Sequence, residues 1–217
     1  VCLRLLRRVC SGCAAYGRLV GSGGDGRSMR ERMVAGALYR ADDPELVEMS
    51  LRAMDLTEAY NRTSARDGGR RRALLVELFA EVGEGTEVRP PLRVDYGAHI
   101  SVGSRTFVNF GLVALDAAAI TVGDDVQIGC NVQLLTPSHP LAAGSRRDKW
   151  ESAEPVRIGD NVWLGSGVIV LPGVEIGRDT VVGAGSVVTR SLPAGVLAVG
   201  NPARVVRDLP GDRTGGG

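Results

Sequence analysis

Aromatic side chains make up only 4% of the 217 residues, and there are just two histidines. Large rings fill much of an ordinary globular core. An interior with so few must be narrow enough for Val, Ile and Leu to fill. The four cysteines, Cys2, Cys10, Cys13 and Cys130, do not form the framework of a secreted disulfide scaffold, since three crowd the first thirteen positions. Cys10 and Cys13 have two residues between them, but no second pair and no nearby histidine joins them, so they read as inert. Neither sign of charge dominates, and a net charge of +1 gives no electrostatic reason to expect nucleic acid. No apolar run approaches the ~20 residues of a membrane span.

What the chain does have is a period. Ile158, Leu164, Val170, Ile176, Val182 and Val188 stand six apart, and Val162, Val168, Val174, Thr180, Ser186 and Leu192 follow four residues behind. Gly159, Gly165, Gly177 and Gly183 come just after the first position. Helices repeat every 3.6 residues and strands every two. A chain that turns a corner every six residues, three corners to a coil, produces this spacing: the hexapeptide β-helix repeat. The same step links Val94, Ile100, Thr106 and Leu112, and then Val122, Ile128 and Leu134. The jump of ten from Leu112 to Val122 predicts four extra residues there. Between Leu134 and Ile158 the rule lapses, and Pro137 to Pro155 reads as a loop thrown out from the coil. Long loops in compact repeat domains are commonly functional, and this one carries His139 between two prolines.

Residues 1–28 hold five arginines against one acid, then Gly21-Ser22-Gly23-Gly24. They read as a disordered extension rather than a secretory signal, with Met29 close to the natural start. Residues 29–85 read as a small α-helical cap. Asp42-Asp43-Pro44 is a helix-start signal, followed by Leu46, Met49, Leu51, Met54 and Leu56 near helical spacing. Asn61 to Gly69 is a polar break. A second helix over Arg70 to Val82 carries Leu74, Leu75, Leu78 and Phe79 on one side, with Gly83 and Gly85 closing it. Such helices would cover the open first coil, as stacked repeats require. Residues 86–207 form the β-helix, and 208–217 a frayed tail. The fold class is all-β repeat with a helical cap.

Several strings go beyond the generic repeat: Met33-Val-Ala-Gly-Ala-Leu-Tyr39, Val82-Gly-Glu-Gly85, Arg89-Pro-Pro91, Val94-Asp-Tyr-Gly97, Val108-Asn-Phe110, Ser138-His-Pro-Leu141, Ile158-Gly-Asp-Asn-Val-Trp-Leu-Gly165 and Gly200-Asn-Pro-Ala-Arg204. Together they closely resemble the maltose and galactoside O-acetyltransferases, including the nodulation-type sugar acetyltransferases, over Met29 to Arg207. Tyr39-Arg-Ala-Asp42, Asp95-Tyr96 and Leu115-Asp116 fit the maltose-type branch best. The resemblance implies a left-handed parallel β-helix and a cytoplasmic homotrimer with each active site between two subunits. It implies acetyl transfer from acetyl-CoA to a hydroxyl of a sugar such as maltose or glucose, without a metal.

A hydroxyl attacking a thioester needs a base for its proton, donors for the oxyanion and an acid for the leaving thiolate. One imidazole can act as base and then acid. His139 matches the family's catalytic position, whereas His99, beside a coil corner, reads as plain surface. By the same resemblance Asn109, Asp95, Asp42 and Asp116 stand at or near acceptor-binding positions, and Glu151 matches an acid of the maltose-type branch that serves either to orient the His139 ring or to bind sugar. Gly111 replaces an Asn that these enzymes commonly carry, which removes one acceptor contact. Trp163 points outward by alternation and needs a subunit or ligand to cover it; the resemblance implies that it binds the cofactor at the site between subunits. Ser166, Ala184, Thr189, Arg190, Arg204 and Arg207 match the cofactor's path, with the Ser166 backbone N–H as oxyanion donor. Other acceptors, an antibiotic or a cell-surface sugar, keep the same chemistry. A non-catalytic scaffold would not bind acetyl-CoA. A γ-carbonic anhydrase type of site needs three histidines, and a sugar nucleotidyltransferase needs an α/β domain ahead of the coil. Cys130 lacks an adjacent base, so a covalent acetyl-enzyme is not expected.

Overall fold

A computed structural model describes residues 26–210; Cys2, Cys10, Cys13 and most of the expected extension and tail lie outside the described residues. From Glu81 the chain winds as a left-handed parallel β-helix of about six turns. One face stacks Glu81–Val82, Ile100–Val102, Ile120–Val122, Val156–Ile158 and Glu175–Ile176. The second stacks Glu87–Val88, Phe107–Val108, Gln127–Ile128, Trp163–Leu164, Val181–Val182 and Val196–Gly200. The third stacks Leu92–Val94, Leu112–Leu115, Gln133–Leu135, Ile169–Val170 and Val187–Val188. All these pairings are parallel; the closing strand Ala203–Asp208 runs antiparallel, against Val196–Gly200. Val108, Ile128, Leu164, Val182 and Ala198 stack as one buried column of the narrow core.

Coils linked edge to edge by backbone bonds leave no room at the corners for a side chain pointing at the next turn. A Cβ on Gly165 would lie 2.5 Å from the Ala184 backbone nitrogen, and one on Gly123 would meet Asp160 and Gly159. At these corners the glycine after the first position is therefore a steric requirement. In the position four behind it, Thr180 and Ser186 are fully buried. Thr180 donates to Pro193 O and Ser186 to Gly183 O, which repairs backbone groups the corners leave open.

The register of the early coils differs from the spacing read in the sequence. Ile100, Ser101 and Val102 pair with Ile120, Thr121 and Val122, and Leu92, Arg93 and Val94 with Leu112, Val113 and Ala114, so these coils are twenty residues long. The surplus is not four residues between Leu112 and Val122. It is two residues at each of two stacked corners, 95–99 and 115–119. Ile100 and Val102 are both buried, as are Leu112 and Ala114, so either phase of the six-residue step lands on apolar residues.

Helix α1 (Met29–Val34) starts from a reciprocal Ser28–Glu31 capping box. Helix α2 (Pro44–Asn61) begins at Asp43, which caps Glu45 N, and helix α3 (Gly68–Leu78) at Asp67, which caps Arg70 N. Leu46, Ala53, Thr57 and Tyr60 form the buried stripe of α2, while Leu51 and Met54 are exposed. Helix α3 stops at Leu78 rather than Val82, because Phe79 turns extended and Ala80 N bonds Ile100 O, joining the ladder. The first strand thus begins at Glu81, ahead of the boundary expected at 86.

These helices cover an edge that would otherwise offer open backbone groups to another sheet. The Tyr60 hydroxyl donates to Val88 O. Arg72 donates to Val82 O and Gly83 O. Asn61 bonds both ways with Leu92, Nδ2 to its carbonyl at 2.9 Å and Oδ1 from its N–H at 2.8 Å. At the other end the antiparallel strand Ala203–Asp208 covers the last ladder edge. Asn61→Ala leaves the Leu92 N–H without its acceptor and should lower stability by about 1–3 kcal/mol, measured as a reduced urea midpoint with unchanged secondary structure.

Candidate active site

Everything irregular in the β-helix gathers on one edge of the prism, between the third face and the first. The two enlarged corners, 95–99 and 115–119, lie there one above the other, and the loop from Thr136 to Pro155 follows as the third layer. The loop leaves and returns as a short antiparallel pair, Pro137–Ser138 against Ser152–Ala153, with helix α4 (Ala143–Arg147) between. His139 directly follows this stem and is exposed.

Two polar side chains tie the layers together. Asp116 is fully buried and accepts bonds from the backbone N–H groups of Asp95, Tyr96 and His99, at 3.1, 2.8 and 3.1 Å. Its carboxylate does not face an acceptor; it braces the corner below, which corrects the expected binding role. His99 belongs to this brace too. Its Nδ1 lies 2.7 Å from Asp116 O and its ring is tilted against Tyr96, so it is half-buried structure rather than plain surface. One layer up, the Thr136 hydroxyl donates to Leu115 O and accepts from Ala118 N, and Thr136 O accepts from Glu154 N. The root of the loop is thereby fixed to the corner that carries Asp116.

A second small core, separate from the prism interior, lies under this edge. It joins Met33, Tyr39 and Leu46 of the cap with Tyr96, Ala117, Ala118 and Ala153. Tyr39 and Glu151 exchange backbone bonds, each N–H to the other's carbonyl at 3.0 Å. Glu151 and Asp95 are close enough to feel each other's charge. Burial first, then the negative charges of Asp116 and Glu151, push the Asp95 carboxyl up to about 6. Burial likewise raises the phenols of Tyr39 and Tyr96, with Glu151 the next contributor for Tyr39 and Asp95 for Tyr96. Asp42 is exposed in the turn before α2, 3.4 Å from Arg40 Nε. Tyr39, Tyr96 and Thr136 were missed in the sequence; the one cue was two rings beside motif acids in a ring-poor chain.

The remaining expected residues lie elsewhere. Asn109 occupies the edge between the second and third faces, where its Oδ1 accepts from Phe110 N as a turn former. Gly111 beside it has φ +83, and Asn131 Oδ1 of the next coil stands where a Cβ would be. An amide therefore remains at that spot. Ser166 and Ala184 stack above on the same edge, both exposed. The Gly165 and Gly167 N–H groups enter the backbone ladder at 2.8 and 2.7 Å, so the Ser166 N–H lies between two committed donors. Trp163, on the second face, is 56% exposed. Arg204 and Arg207 are exposed on the closing strand, Arg190 is exposed beside the upper turns of the His139 edge, and Thr189 next to it is buried. One chain thus carries His139, Asp95 and Glu151 on one edge and Asn109, Ser166 and Ala184 on another.

Residues 32–83 match the maltose acetyltransferase hexapeptide capping motif, and residues 155–190 the bacterial transferase hexapeptide of six repeats. Nodulation protein L of Rhizobium meliloti (strain 1021) is 45% identical over 179 residues, covering 82% of this chain and 98% of the relative. The crystal structure of a maltose O-acetyltransferase from Clostridium difficile 630 superposes with a TM-score of 0.84 at 40% identity, covering 85% of this chain and 99% of that one. A galactoside acetyltransferase in complex with coenzyme A gives 0.82 at 38% identity, covering 85% and 92%.

The pH behaviour of Asp95 is open to test. A carboxyl that binds its proton more tightly when folded adds stability below its ordinary value of 3.8, and that contribution fades as pH rises through about 6. Asp95→Asn should therefore melt higher than the parent at pH 8, by on the order of 1 kcal/mol after allowing for partial solvent screening. The advantage should shrink by pH 5, as read by thermal midpoints at both pH values.

Proposed function

Because this chain belongs to the hexapeptide-repeat family of maltose and galactoside O-acetyltransferases, we propose that it carries an acetyl group from acetyl-CoA to a hydroxyl of a sugar such as maltose or glucose. The observation that carries this reading is the three-layered edge that gathers His139, Asp95 and Glu151 on a loop and corners inserted into an otherwise regular coil. The exposed His139 and the half-buried carboxylates of Asp95 and Glu151 suit a polyhydroxylated acceptor.

Asp95 and Glu151 accept bonds from sugar hydroxyls and fix which one faces His139. The imidazole takes the proton of that hydroxyl as its oxygen attacks the thioester carbon. The charge passes to the thioester oxygen, which the Ser166 N–H stabilises. Collapse breaks the carbon–sulfur bond, and the imidazolium returns its proton to the departing CoA thiolate. The products are an acetyl ester and CoA.

The division of residues between two edges supports a shared site. A rotation that sets the His139 edge of one prism against the Ser166 edge of the next closes after three copies. It completes three equal sites and covers Trp163. The small exposed residues Ser166, Ala184 and Gly185 let an extended pantetheine arm lie along the backbone. Arg204 and Arg207 suit the phosphates of the cofactor. The reading includes a soluble, cytoplasmic trimer; no described helix is long and apolar enough to cross a membrane.

His139→Ala should lower kcat by ~10²–10⁴ with the fold retained, measured as CoA thiol release with maltose as acceptor. Near-normal turnover would remove His139 from the mechanism. A shared site makes a second prediction. His139→Ala and Ser166→Pro, the latter lacking the donor N–H, should each be inactive alone. Unfolded and refolded together, they should regain a fraction of the parent activity, because some interfaces pair an intact His139 with an intact Ser166. Activity no greater than the sum of the two separate variants would place the site within one chain.

A further inference from the structure

Tyr39 has no role in the chemistry above, yet it sits at the junction of the helical cap and the active-site loop. The paired backbone bonds to Glu151 place the two residues directly opposite each other. Directly opposed residues of an antiparallel pair project their side chains to the same side. On that side the ring is 1% exposed, enclosed by the small core of Met33, Leu46, Tyr96, Ala117, Ala118 and Ala153. The Glu151 charge acts on both the phenol and the Asp95 carboxyl, so the three side chains are neighbours. The next residues along, Arg40 and Trp150, meet on the other side of the bridge, with the guanidinium carbon 5.9 Å from the ring centroid. Arg40 also pairs with Asp42 at 3.4 Å. The bridge is therefore fastened on both of its sides, and Glu151 has little freedom except at its carboxylate.

A ring placed only to fill the small core would need no hydroxyl, and Phe would serve as well. Here the hydroxyl is the one polar atom of a nearly buried side chain, and the bridge sets it on the same side as the Glu151 carboxylate. We propose that Tyr39 is a positioning residue for acceptor recognition: its hydroxyl, held by the cap, orients the Glu151 carboxylate beside Asp95 so that the pair can grip one sugar hydroxyl geometry. The cap is thus more than a lid on the first coil; it supplies the fixed wall against which the loop is registered. This rests on the reading that Glu151 binds the acceptor, and it adds the group that aims it.

The test is Tyr39→Phe, which keeps the ring and the backbone bridge. It is assayed beside Glu151→Gln and the double variant, with KM measured separately for maltose and for acetyl-CoA. Tyr39→Phe should raise the KM for maltose about tenfold, a loss equivalent to roughly 1.4 kcal/mol. The KM for acetyl-CoA and kcat should stay within twofold and the melting temperature close to the parent. The double variant should be no worse than Glu151→Gln alone, because the hydroxyl acts only through that carboxylate. An unchanged KM for maltose in Tyr39→Phe, with Glu151→Gln raising it, overturns the positioning role and leaves the acceptor site intact. If Glu151→Gln itself leaves the KM for maltose unchanged, the acceptor reading fails, and any effect of Tyr39→Phe then cannot pass through Glu151. Equal losses for both substrates together with a lower melting temperature would reduce Tyr39 to core filling.

Discussion

Each turn of this molecule is hydrogen-bonded to the turns above and below, at the ~4.8 Å spacing of neighbouring strands. That spacing decides nearly everything else. It leaves no room for a Cβ where Gly123 and Gly165 meet the next coil, so glycine must occupy those corners. It confines the interior to one layer of branched aliphatic residues per turn, and the shortage of aromatic residues follows. It also leaves an open ladder at each end. The cap answers this at the start through Tyr60, Asn61 and Arg72, and an antiparallel strand answers it at the finish. A stack this regular has no concave surface of its own. Any site must come from departures at the corners, where added residues do not disturb the ladder.

The departures are all on one edge, and they support one another. A longer corner has more backbone N–H groups than the ladder can use. Asp116 takes up three of those belonging to 95–99. The corner that holds Asp116 is itself closed by the Thr136 hydroxyl, at the root of the loop. The irregular backbone of the two enlarged corners is thereby bonded by two side chains, Arg146 donates to Pro140 O and Leu141 O within the loop, and the small core around Tyr39 and Tyr96 removes the apolar sides of the same layers from water. The carboxyl of Asp95 is pushed up because it remains at the rim of this dry, acidic region. The same burial that fixes the edge therefore also tunes a group that can meet an acceptor.

The regular part of the fold was legible because its constraint acts on every turn. Between Ile158 and Val188 the six-residue step is unbroken, and Ile158, Leu164, Val170, Ile176, Val182 and Val188 are all in the core. The loop around His139 was legible for the opposite reason, since the rule stops there. The early register was not. Ile100 and Val102 are both buried, and so are Leu112 and Ala114. Apolar residues two apart satisfy either phase, so the surplus was assigned to one place instead of two stacked corners. Asp116 looked like a ligand group because an acid at a motif position carries no mark of whether it faces solvent or backbone. His99 was hidden in the same way, as its partner is a main-chain carbonyl contributed by the next coil. Nor could spacing reveal that Asn109 and His139 lie on different edges, since that depends on counting corners correctly through the irregular turns.

A prism has three edges that are geometrically alike, but here they are chemically unlike. One has acids and an imidazole on a built-out loop; another has small residues and bare backbone. Hydrolysis is the competing fate of a thioester beside an activated base, and a single edge open to solvent does nothing to prevent it. In the proposed trimer, closing the acidic edge against the small-residue edge of a neighbour would exclude water without requiring either chain to deform. The flat edge would contribute what a flat edge can: backbone donors and a track for an extended cofactor. The lower dielectric of such a seam would strengthen the proposed hold of Asp95 and Glu151 on a hydroxyl and of the Ser166 N–H on a developing oxyanion. The regularity of the coil and the irregularity of one edge are then two halves of one arrangement, because only a straight, repetitive neighbour offers a surface predictable enough for a built-out edge to fit.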